Sequence, residues 1–83
     1  MPLFMDMHKV DGGVKMTDVA QAHAADLQTQ DEFGVKYLRY WVDEAAGTIF
    51  CLVDAPDADA AAEVHRKAHG LVADEIHAVA EGA

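Results

Sequence analysis

Residues Val35 to Asp54 read Val-Lys-Tyr-Leu-Arg-Tyr-Trp-Val-Asp, then Glu-Ala-Ala-Gly, then Thr-Ile-Phe-Cys-Leu-Val-Asp. Two runs rich in β-branched and aromatic side chains, joined by a short connector ending at Gly47, carry the signals of a β-hairpin. If Leu38, Tyr40 and Val42 face a core, then Tyr37, Arg39 and Trp41 face the other way, because side chains alternate along a strand. On the N-terminal side, Thr17 reads as the N-cap of an alanine-rich helix that runs to about Glu32 and closes at Gly34. Met16, Val19, Ala20, His23 and Leu27 recur on one stripe of it. Before that helix, Leu3, Met5 and Met7 alternate with Phe4, Asp6 and His8 over a strand from Leu3 to Val10, ended by Asp11-Gly12-Gly13. With the first three in the core, Phe4 and His8 would face outward.

On the C-terminal side, Ala55-Pro56-Asp57 supplies a turn and an N-cap, and a helix follows from Ala58 to His69 with Gly70 behind it. Leu71 to Val79 fits either a continued helix or a strand. A glycine inside a helix costs about 1 kcal/mol relative to alanine, and a fourth strand completes a β-α-β-β-α-β order, so a strand is predicted. The expected fold is thus a single α+β, ferredoxin-like domain over residues 1–83, an antiparallel sheet with two helices on one face. A chain of 83 residues buries only about 60–65% of its unfolded surface, and an aromatic outer sheet face is a poor solvent surface. Both points predict a homodimer.

Fifteen acidic and six basic side chains give a formal charge of -9, a field that repels nucleic acid and anionic lipid and attracts cations. No charged leader or long apolar run is present, which predicts a cytoplasmic location without membrane contact. Cys51 is the only cysteine, so an internal disulfide is excluded, although one thiolate could join a mixed metal site.

The sharpest chemical signal is His65-Arg66-Lys67-Ala68-His69, whose four-residue spacing sets two imidazoles on one helical face, close enough to share a divalent ion. Arg66 stands where a zinc-protease helix has its glutamate base, which disfavours hydrolysis. The same histidines could instead serve the helix dipole. Asp6 and His8 share one face of strand one, and Glu75 and His77 could approach them from strand four. A different reading is a small enzyme or small-molecule binder whose pocket between sheet and helices holds His23, Asp26, Tyr37 and Cys51. Imidazole and carboxylate ligands suit nickel, zinc or copper and do not choose among them.

The stretches Ala22-His23-Ala24-Ala25-Asp26-Leu27, Val35 to Asp43, Phe50-Cys51-Leu52, Ala55-Pro56-Asp57 and His65 to Leu71 resemble, in the same order, a family of small bacterial proteins of largely unknown function that includes an actinobacterial nickel-binding protein. The resemblance implies a ferredoxin-like homodimer that binds nickel and sequesters excess metal. At one position the chain departs from the family: Lys9 follows His8 where relatives carry a second histidine. With the reading of the residues, the expected metal ligands are His65, His69, His8 and Asp6.

Overall fold

The structure is a computed structural model that describes residues 2–83. Its elements are β1 (Leu3–Lys9), α1 (Met16–Thr29), β2 (Lys36–Asp43), β3 (Thr48–Asp54), α2 (Ala58–Ala68) and β4 (Glu75–Val79), with a 3₁₀ turn over Gln30–Phe33 extending α1. The strands lie in the order β2-β3-β1-β4 and every adjacent pair is antiparallel. This is the ferredoxin-like arrangement that the hairpin and its flanks predict. Val19 of α1 and Ala61 and Val64 of α2 pack on one sheet face against Val35, Tyr37, Ile49, Cys51 and Val53. Among the described residues no helix is long and apolar enough to cross a membrane.

Local chemistry accounts for the boundaries. Asp57 caps α2 by accepting a hydrogen bond from the Ala60 amide at 2.8 Å. Thr17 does not cap α1: the cap position is Lys15, two residues earlier, and the Glu44 carboxylate reaches over from the hairpin connector to accept from the Met16 amide at 2.8 Å. That connector is tied to the end of β1 by the bond from the Val10 amide to the Gly47 carbonyl at 2.7 Å. Gly47 has φ +69, and a Cβ there would collide with the Val10 carbonyl, so only glycine lets the hairpin close on β1. β4 begins at Glu75 rather than Leu71, because Asp74 bridges to β1 through its own amide to the Met7 carbonyl and through its carboxylate to the Lys9 amide.

Three faces differ from the simple alternation. In β2, Tyr37 pairs with Val53 and Arg39 with Leu52, so Leu38 is an extra residue, a β-bulge. The bulge turns Tyr37 into the core and leaves Leu38 exposed, while Tyr40 and Val42 still face the helices and Trp41 faces out. In β1 the expected faces are reversed. Asp6 and His8 are buried and Phe4 packs on the core, whereas Leu3, Met5 and Met7 join Trp41 and Phe50 on the outer face. Burying Asp6 and His8 is tolerated because partners on both helices hydrogen-bond the group they form, which lowers the cost of desolvating them. In α1, the inward positions are Val19, Ala22, His23 and Asp26, while Met16 and Leu27 are exposed, since rotating the helix this way delivers Asp26 to that same polar group.

Candidate metal centre

Five elements contribute side chains to one buried polar cluster. β1 supplies Asp6 and His8, two apart and hence on one face, and β3 places Cys51 directly opposite Asp6. α2 lowers His65 onto them, with His69 one turn further on. α1 supplies Asp26 and the bulged β2 supplies Tyr37. Asp6, His65 and Asp26 are each no more than 2% exposed, so this polarity is held almost wholly away from water.

His65 is the hub. Its Nε2 lies 3.0 Å from Asp6 Oδ2 and its Nδ1 lies 2.9 Å from Asp26 Oδ1, so both ring nitrogens donate to carboxylates. His8 Nε2 donates to the other oxygen of Asp6 at 3.1 Å and comes within 3.3 Å of His65 Nε2. The Tyr37 hydroxyl is 3.1 Å from Asp6 Oδ2 and 3.0 Å from the Ala61 carbonyl. On the far side, the Leu71 amide donates to His69 Nδ1 at 3.1 Å, which leaves the proton of His69 on Nε2 to be donated to Asp26 Oδ1 at 3.0 Å.

These contacts fix the protonation pattern. Burial alone would lower the pKa of His65, but its bonds to Asp26 and Asp6 outweigh that and push it up to about 9. Burial alone would raise Asp6, yet His65 and His8 hold it well below the usual carboxylate range. Burial pushes the Cys51 thiol and the Tyr37 hydroxyl up, assisted by the charge on Asp6, so both stay protonated. Burial lowers His69 below its ordinary value of 6.5.

A pH dependence of the metal-free protein follows from these signs. The pKa of His65 is raised on folding, so its stabilisation is complete below its ordinary pKa of 6.5 and disappears as pH rises through about 9. Asp6 is depressed, so its contribution is present above the ordinary 3.8 and is lost as pH falls. Urea denaturation should therefore find stability falling by up to roughly 3 kcal/mol between pH 6.5 and pH 9. A flat profile over that window would show that His65 is not held as an imidazolium.

Asp6, His8, Cys51 and His65 offer one ligand atom each, all within 4.8 Å of one another, and Asp26, His65 and His69 form a second such group. Atoms so spaced could hold a metal ion between them. All four sequence-predicted ligands are thus brought into one cluster, although His8 and His69 lie on opposite sides of the His65 ring. Asp26 and Cys51 belong to it as well. The place of Asp26 in the cluster depends on a helix rotation that turns Val19, Ala22, His23 and Asp26 inward, and that of Cys51 on its pairing with Asp6. The approach of Glu75 and His77 to Asp6 and His8 does not occur. Register sets Glu75 opposite Met7 and His77 opposite Met5, on the outer face, where they bond to each other at 3.0 Å. Lys9, which follows His8, also falls on that other face and keeps its charge away from the cluster. His23 stands apart, its ring 4.7 Å from that of Tyr40.

A family described as "Nickel responsive protein SCO4226-like" matches residues 4–79. The crystal structure of SCO4226 from Streptomyces coelicolor A3(2) is 42% identical in sequence and superposes with a TM-score of 0.90, covering 98% of this chain and 99% of that one. No curated protein matches the chain.

Proposed function

The chain belongs to the SCO4226-like family of nickel-responsive proteins, and from that premise we propose that it binds a divalent transition metal, nickel in the cell, at the buried cluster. The observation that carries the reading is that Asp6, His8, Cys51 and His65 each offer one ligand atom and that these atoms lie within 4.8 Å of one another. Two imidazoles, a carboxylate and a thiol are a donor set that a borderline divalent ion accepts, and zinc or copper would also enter it. His65 would bind through Nε2 while its Nδ1–H remains on Asp26, the carboxylate–histidine arrangement that orients a metal-binding ring. His69 holds Asp26 in place. This assigns His69 a supporting role rather than a bond to the same ion as His8.

In the metal-free protein both Nε2 atoms donate to Asp6 and the Cys51 thiol keeps its proton, so an ion bound among them displaces those protons. Binding must release protons, so affinity should rise with pH up to about 9. Calorimetric titration of untagged protein with Ni²⁺ in buffers of different ionisation enthalpy measures both quantities. We expect tight binding with proton release, and loss of at least about tenfold in affinity for the His8→Ala variant. Undiminished binding by that variant would move the ion elsewhere.

The role we assign is sequestration of excess metal in the cytoplasm by a homodimer. Support for the dimer is the outer sheet face, where Trp41 and Phe50 are 47% and 37% exposed beside Met5 and Met7. Sedimentation equilibrium should give twice the chain mass of 9.0 kDa, and a single-chain mass would remove this part of the proposal.

A further inference from the structure

Beside the cluster lies a cavity of about 150 Å³ between α1, the sheet and the loop after α2. Its walls are apolar, with Val10, Val14, Val19, Ala22 and Ile49 around the body and the exposed Leu71 at the rim. Its inner end is polar and comprises His8, Asp26, His65 and His69, of which Asp26 and His65 are 98% buried. A metal store needs only the ligands. An apolar-walled compartment opening onto them is what a small organic ligand requires, since such sites pair apolar walls with a few fixed polar groups at one end.

We propose that this cavity binds a compact, neutral aromatic molecule carrying one polar hydrogen-bonding atom, with its ring among the valines and that atom at the His69–Asp26 end. Size sets the first limit: apolar cavities of about 150 Å³ accept benzene. Charge sets the second. The lining holds Asp18 and Asp26 and, among the described residues, no lysine or arginine, on a chain whose formal charge is -9. A carboxylate-bearing ligand would enter against that field, and the cation at the inner end, the His65 imidazolium, is already committed to Asp6 and Asp26. The rings of His23 and Tyr40, 4.7 Å apart and tilted by 42°, form one flank and supply aromatic contact. Ligand binding here uses the cavity wall and does not depend on whether the cluster holds nickel.

The test is a nuclear magnetic resonance titration of chelator-treated, metal-free protein with phenol, and with benzoate as the charged control. Phenol should shift the signals of Val19, Ala22 and Ile49 saturably, and benzoate should bind at least about tenfold more weakly. Ala22→Phe fills the cavity from the partly exposed side of α1 and should weaken phenol at least about tenfold while nickel affinity stays within about threefold. Ala22→Leu, a smaller change, should weaken phenol in the same direction if the larger ring disturbs folding. Shifts that do not saturate, equal binding of benzoate, or phenol affinity unaltered in both variants would overturn the proposal. Failure of nickel to bind in a separate titration would leave it standing.

Discussion

Replacing His65 by alanine is expected to remove about 3–5 kcal/mol of folding stability and all tight metal binding. The stability loss follows from leaving Asp6 and Asp26, both about 98% buried or more, without the donor they share. A chain of 83 residues is stable by only about 4–12 kcal/mol, so the variant sits close to unfolding at neutral pH. The effect should shrink on acidification, because a buried carboxyl without its imidazolium takes up a proton more readily and then needs no counter-charge. Urea denaturation of both proteins at pH 5 and pH 7 measures this. A loss below about 1 kcal/mol at pH 7 would mean that the three side chains are not the buried network described.

Nickel at about a hundredfold excess over its dissociation constant should stabilise the folded protein by about 2.7 kcal/mol. For a domain of this length that raises Tm by about 10–20 °C. Calorimetric melting of chelator-treated protein with and without Ni²⁺ reads it directly. The His8→Ala variant should show a much smaller rise. A Tm that nickel does not move, at concentrations where titration shows binding, would place the ion where folded and unfolded chains bind it equally, such as an exposed pair of side chains.

The order of elements was readable from residues 35–54 and their flanks because hydrophobic period, turn glycines and helix caps act locally. The faces were less so. In β1 the odd positions are apolar as far as Met7, and local pattern puts Leu3, Met5 and Met7 inside. What reverses them is a tertiary fact: Asp6 and His8 meet His65 from a helix 57 or more residues away, and the apolar side is left for the outer face. The bulge at Leu38 has the same character, since nothing in Tyr-Leu-Arg marks an extra residue, yet it aims the Tyr37 hydroxyl at Asp6. Of the site, the His65 and His69 spacing and the shared face of Asp6 and His8 were legible as helical and strand periodicities. That these two pairs, with Asp26 and Cys51, form one cluster depends on sheet register and helix rotation. Such departures from local rule are commonest where a protein keeps polar groups buried for use.

The central claim is that the ion sits at His65, and crystals of the untagged protein soaked in Ni²⁺ test it most directly through the anomalous scattering of nickel. A peak is expected about 2.1 Å from both His65 Nε2 and His8 Nε2, with Asp6 completing the contact. Nickel found only at exposed groups such as His77 and Glu75, with the His65 cluster unchanged, would contradict it.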